Sequence, residues 1–185
     1  MKLICPLCGN ELLKKDKSYC CENHHSFDIA RQGYVNLLAV QQKHSLLPGD
    51  TREQVLSRRA FLEGGFYAPI AQTLLETARS LGLSGSMLDV GCGEGYYGSR
   101  AAGALPGAHV TGVDISKDAV RMAAGRYKEG TWLCATASKL PFPKEFDLVL
   151  SMFALTLPEE FSRVLKEKGI FIQVLAAEDH LMGLR

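Results

Sequence analysis

From Ser86 onward, short apolar runs rich in β-branched residues alternate with stretches of helical character. The runs are "MLDVG", "HVTGVD", "TWLCAT", "FDLVLSM" and "GIFIQVL", and residues 95–104, 116–128 and 158–167 between them read as helices. That rhythm predicts a parallel sheet wrapped by helices, an α/β fold. Upstream the pattern changes. Thr51, followed three residues later by Gln54, makes a capping box for a helix that stops at Gly64-Gly65. A second helix starts near Tyr67-Ala68-Pro69, with proline in its first turn, and stops at Gly82. "FDIARQGYVNLLAVQQKHSLLPGD" reads as a connecting stretch ending in the turn Pro48-Gly49-Asp50. Residues 1 to about 30 are turn-rich and cysteine-dense, with too few apolar positions for an independent core. The expected division is a small module over 1–35, a linker with helices over 36–82, and the α/β domain over 83–185.

With 185 residues the chain can bury one sizeable core and carry a small appendage. A net charge of +1 excludes a strongly basic nucleic-acid binder on global grounds, although residues 1–62 carry nine Lys/Arg against six Asp/Glu. No stretch approaches the ~20 apolar residues of a membrane span. "MKLICPLCGN" lacks the long apolar run and small-residue cleavage site of a signal peptide. The expected compartment is the cytoplasm, where thiols stay reduced. Six cysteines there point to metal or catalysis before disulfides, and four of them fall within the first 21 positions.

In Cys5-Pro-Leu-Cys8-Gly, two intervening residues let both sulfurs face one ion, and Gly9 permits the turn beyond. The second pair comes from Cys20, Cys21, His24 and His25; Cys21/His25, Cys20/His24 and Cys21/His24 all have zinc-compatible spacing. If "KSYCCENHHSFDI" is extended, Tyr19 and Phe27 share parity with Cys21 and His25, which favours that pair and turns Cys20 and His24 to water. Four ligands with no vacancy make such a zinc structural, a clip for some 30 residues that cannot otherwise fold.

"LDVGCGEGYYG" follows the first strand of the α/β region and opens a helix. Gly91, Gly93 and Gly95 allow a tight turn and close approach of a ligand, and the helix start points free N–H groups at it. Asp114, at the end of the next strand, is placed to accept hydrogen bonds from ribose hydroxyls. Gly93, Gly95 and Gly98 also satisfy the dinucleotide fingerprint. However, Asp89 before the first glycine and Glu94 inside the loop suit a cationic ligand better than a pyrophosphate. With "GVDIS", "LPF" and "FDLVLS" following in order, the region resembles a Rossmann-type, class I S-adenosylmethionine methyltransferase. The resemblance implies that Asp89, Gly91, Gly93 and Glu94 line the methionine side, that Asp114 holds the ribose, and that Ala137-Ser138 borders the adenine. Asp147 reads as a structural residue at a strand entrance. Ser151–Thr156 would flank the substrate, and Cys92 and Cys134 would be buried fillers.

The whole join, "CPLC…SYCCENHHSFDIARQGYVNLL", "PGDTREQVLSRRAFLEGGFYAPI", "LDVGCGEGYY" and "HLMGLR", resembles the RlmA-type 23S ribosomal RNA (guanine-N1)-methyltransferases. That resemblance implies structural zinc on Cys5, Cys8, Cys21 and His25. It implies cofactor contacts from Tyr67, Gly93, Glu94 and His180. It implies a guanine target in a hairpin loop of 23S rRNA, gripped by the zinc module and Arg52, Arg58 and Arg59, and a homodimer. No catalytic residue is assigned: methyl transfer needs in-line positioning more than a nucleophile on the protein. The family continues for several tens of residues past "HLMGLR", and five strands are readable where this fold has seven. A truncated, non-catalytic RNA- or cofactor-binding protein is therefore one alternative, and a small-molecule methyltransferase of the same fold the other.

Overall fold

Around the cysteines the backbone folds into short strands: β1 (Leu3–Ile4), β2 (Glu11–Lys15), β3 (Ser18–Cys20) and β4 (Ser26–Asp28). They pair antiparallel in that order as a four-stranded sheet. The computed structural model describes residues 1–39 and 48–178. "KSYCCENHHSFDI" is not one extended strand. It is a hairpin, with Tyr19 opposite Phe27 and a tight turn between Cys21 and His25 closed by His24 N–H donating to Cys21 O at 3.0 Å.

The stretch read as a connection contributes β5 (Val35–Asn36), which two residues are too short to announce by periodicity. Then follow α1 (Arg52–Glu63), α2 (Ala68–Ser80), β6 (Ser86–Val90), α3 (Tyr96–Ala104), β7 (His109–Asp114), α4 (Lys117–Arg126), β8 (Thr131–Cys134), β9 (Phe146–Met152), α5 (Pro158–Val164) and β10 (Leu165–Val174). Both halves of the predicted capping box are present at Thr51 and Gln54. Helix α5 ends three residues earlier than its pattern suggests. Leu165 is already extended and pairs with Phe146, and Lys166 is drawn to the Asp147 carboxylate at 2.8 Å.

Strands β5 to β10 form one parallel sheet in the order β10-β9-β6-β7-β8-β5. Side-chain alternation sorts its two faces. Met87, Leu148, Leu150 and Met152 pack with Leu74 and Ala78 of α2 and Tyr96 and Ala101 of α3, while Trp132 packs with Val120 and Ala123 of α4. The residues between them in sequence, Leu88, Val90, Val149 and Leu133, face the other way. On that face the cover is α5 through Phe161 and Val164, and the cysteine module through Leu3, Cys5, Leu12 and Cys21. Between β8 and β9 the described chain has a 3-10 turn (Ala137–Lys139) and no α-helix. The module docks there by Ile4 N–H donating to Pro141 O at 2.8 Å and Lys139 Nζ donating to Pro6 O at 3.2 Å. It thus replaces a helix layer as one wall of the core.

The sheet is built outward in both directions from β6, so the carboxyl ends of β6 and β9 flank the reversal of strand order where open α/β sheets bind ligands. Among the described residues no helix is long and apolar enough to cross a membrane.

Candidate active site and metal centre

Beyond Val90 the chain turns over the end of the sheet before α3 begins. Gly93 has φ of +55°, and a Cβ there would meet nothing within 4 Å, so the loop is open on that side. Its N–H donates to Asp114 Oδ2 at 2.9 Å, while Asp114 Oδ1 accepts the Ser116 N–H at 2.8 Å. One carboxylate thereby ties the glycine loop to the start of α4. Asp89 lies beneath the loop. Its Oδ2 accepts the Gly98 N–H at 3.1 Å, and a Cβ on Gly98 would stand 2.5 Å from that oxygen, so glycine is required for the approach. Asp89 Oδ1 and Glu94 Oε1 are buried without a hydrogen-bond partner.

Burial dominates the electrostatics. It pushes the Asp89 carboxyl up to about 7, helped by the nearby Asp114 charge and opposed by the Gly98 N–H. Burial likewise raises Glu94, against the attraction of Arg126, and raises Asp114, against its backbone donors. Arg126 Nη1 stands 3.5 Å from Glu94 Oε2 and 2.5 Å from Glu63 Oε1, which also accepts from Arg59 at 3.2 Å. Asp89, Glu94 and Asp114 thus gather at the carboxyl ends of β6 and β7, where burial holds all three up despite nearby arginines, a setting that favours a cationic ligand.

Two cavities flank Gly91. The first, about 380 Å³, is lined by Tyr67, Gly93, Glu94, Tyr96, Tyr97 and Phe153 among others. The second, about 340 Å³, is lined by Asp114, Ile115, Thr136, Ala137, Met152 and Leu155 among others. Arg58, Gly91, Met152 and Phe153 border both. The structure thus gathers Tyr67, Gly91, Gly93 and Glu94 around one cavity and Asp114 with Ala137 around the next. Asp89 sits under the floor rather than in the wall, and His180 lies outside the described residues. The orphaned acid oxygens, the open side of Gly93 and the adjoining apolar and polar cavities fit the ammonium, sulfonium and adenosine of S-adenosylmethionine.

Sequence reading missed Arg126 and Phe61. Arg126 is 63 positions from Glu63, and nothing local marks it. Phe61 reads as an ordinary helix residue, yet it lines the first cavity. Asp147, as expected, is structural: it accepts from Ser86 N–H at 2.9 Å and Ser86 Oγ at 2.8 Å.

In the cysteine module, one ligand atom from each of Cys5, Cys8, Cys21 and His25 lies within 4.8 Å of the others. Individual separations are 3.6 Å for Cys8 Sγ to Cys21 Sγ, 3.6 Å for Cys5 Sγ to His25 Nδ1, and 3.4 Å for Cys21 Sγ to His25 Nδ1. Zinc bonds of about 2.3 Å to sulfur and 2.0–2.1 Å to nitrogen place tetrahedral neighbours roughly 3.5–3.8 Å apart, so the donor set fits zinc. Cys20 instead contacts Ser26 Oγ at 3.4 Å, and His24 is exposed.

Fold and loop together define a class I S-adenosylmethionine methyltransferase fold fronted by a zinc ribbon. The sequence profile described as "RlmA, N-terminal" matches residues 3–46, and that described as "Methyltransferase domain" matches 87–169. Solved S-adenosylmethionine-dependent methyltransferases agree in fold. One from Clostridium acetobutylicum is 17% identical with TM-score 0.54, covering 70% of this chain and 61% of its own. A TehB-like one from Corynebacterium glutamicum is 20% identical with TM-score 0.53, covering 69% and 73%. A Streptomyces fradiae protein named 23S rRNA (guanine(748)-N(1))-methyltransferase is 36% identical over 98% of this chain and 66% of its own length. A Micromonospora griseorubida protein, provisionally named as a 23S rRNA (guanine-N1)-methyltransferase, is 34% identical over 98% and 68%. The chain belongs to the RlmA-type 23S rRNA (guanine-N1)-methyltransferase family. It spans about two thirds of the length of these curated relatives.

Proposed function

We propose that this chain methylates N1 of a guanine in a hairpin loop of 23S rRNA, using S-adenosylmethionine. The observation that carries the donor is the pair of buried, unpartnered acid oxygens at an open glycine loop, and the target follows the names of the relatives. When bound, S-adenosylmethionine would supply an activated sulfonium methyl to guanine N1, whose proton would leave to solvent. Glu94 and Tyr67 hold the methionine end, Gly91 and Gly93 let the backbone approach, Asp114 takes the ribose, and Asp89 adds negative potential from beneath. The Arg126 guanidinium favours the charged form of Glu94. His180 completes the cofactor contacts in the family-based reading. Met152 and Phe153 border both cavities, so the acceptor nitrogen approaches over them.

Cys5, Cys8, Cys21 and His25 hold structural zinc. The ribbon (1–35) and the arginines of α1 grip the RNA, residues 36–82 connect, and 83–185 form the cofactor domain. Action on ribosomal RNA supports a cytoplasmic location, and the family supports a homodimer, which light scattering checks. The test is transfer of labelled methyl to unmodified 23S rRNA, with a reverse-transcription stop at N1-methylguanine. Label in a small molecule with none in RNA, or cofactor binding with no transfer at all, contradicts the proposal.

A further inference from the structure

Four aromatic rings make a continuous row from the cavity beside the glycine loop to the surface. Phe153, just past β9, borders both cavities, and its ring centre lies 5.5 Å from that of Tyr67. Tyr67 meets Phe61 edge-on at 5.0 Å, and Phe61 stacks on Phe66 at 5.0 Å with 16° between the planes. Core packing does not account for the row: Phe66 is 69% exposed, Phe61 43% and Phe153 36%. Rings held against one another yet open to water mark an interaction surface.

The backbone supplies a second observation. Phe153 has φ of +56°, where a bulky side chain is unfavourable and glycine is the ordinary occupant. Its N–H donates to Val174 O at 2.9 Å, so pairing with the end of β10 holds the conformation. Strain of this kind collects at functional sites, and here it fixes a ring between the two cavities. Nearby, the Arg58 side chain, 57% exposed and ion-paired with Asp50 at 2.8 Å, also borders both cavities. Flat rings along an open row match unpaired bases, which stack on aromatic faces.

We propose that Phe153 stacks on the guanine presented to the glycine loop, and that Phe66, backed by Phe61, stacks on the adjacent unpaired base. This rests on the RNA reading above. The substrate is then a single-stranded segment of at least two nucleotides, and Phe66 sets selectivity for an unpaired neighbour.

The experiment is steady-state methylation of a 23S hairpin RNA with independent cofactor titration. Phe66→Ala raises the hairpin KM about tenfold, the effect of losing one base–ring stack, with kcat and cofactor Kd unchanged. Phe66→Tyr restores the KM and Phe66→Leu does not. Phe153→Gly relieves the backbone, so it folds, and lowers kcat/KM about a hundredfold. If Phe66→Leu performs as well as Phe66→Tyr, or all variants match wild type on the hairpin, the stacking proposal is overturned while the RNA reading stands; an apolar protein surface would then be the occupant. If wild-type protein methylates no RNA, the underlying reading fails and stacking with it.

Discussion

The cysteine–histidine cluster and the acidic rim of the glycine loop both gather groups that need a positive partner, but they are built in opposite ways. The first is closed: four donors lie within 4.8 Å of one another, and two of them, Cys5 and Cys21, are packed among core residues that include Leu88 and Phe142. The second is open: Asp89 Oδ1 and Glu94 Oε1 have no partner, and two cavities adjoin the loop. A closed set suits an ion that stays and adds folding free energy. An open, electrostatically unbalanced set suits a ligand that comes and goes. The sites also differ in what they support, since the ribbon walls one face of the sheet while the loop crowns its end.

Breaking the closed site should have the largest effect. Cys21→Ser should lose the zinc and cost more than about 5 kcal/mol of stability, or prevent folding, because core and metal go together; metal analysis and thermal melting check it.

Next comes the pH response of the open site. Burial raises Asp89 to about 7 in the folded protein, so folding takes up a proton between about pH 4 and 7. That contribution is full at low pH and is lost as pH rises to 7. Asp89→Asn keeps an acceptor for the Gly98 N–H and removes the charge. It should leave stability little changed at pH 4 and raise it by on the order of 2–4 kcal/mol at pH 8, read from urea melts of unliganded protein. Glu94→Gln should weaken S-adenosylmethionine binding about 10- to 100-fold by calorimetry, with the fold intact. The smallest effect is the control: Cys20→Ser should keep the zinc and shift stability by less than about 0.5 kcal/mol. A variant that loses zinc at Cys20 and keeps it at Cys21 would reverse the ligand assignment.

Local signals were readable because their physics is local. The pair Cys5 and Cys8, the capping box at Thr51, and the strand–glycine–helix run through Gly93 each depend on a few neighbouring residues. Alternation favoured Cys21 and His25 although its premise, an extended strand, is replaced by a hairpin whose tight turn brings the two together. What stayed hidden depends on packing between distant segments. Arg126 reaches Glu63 and Glu94 only once α4 lies beside α1 and the loop. The ribbon's place in the core follows from the missing helix between β8 and β9, and Phe153's left-handed backbone follows from its bond to Val174.

Hydrogen–deuterium exchange, run once with zinc chelated and once with S-adenosylmethionine added, tests the contrast between the two sites most directly. Chelation should deprotect β1 to β4 and also β6 and β9, whose residues share their core. S-adenosylmethionine should protect the Gly91–Gly95 loop and the start of α4 and leave the ribbon unchanged. Strands β6 and β9 remaining fully protected without zinc, or a glycine loop indifferent to S-adenosylmethionine, would contradict that contrast.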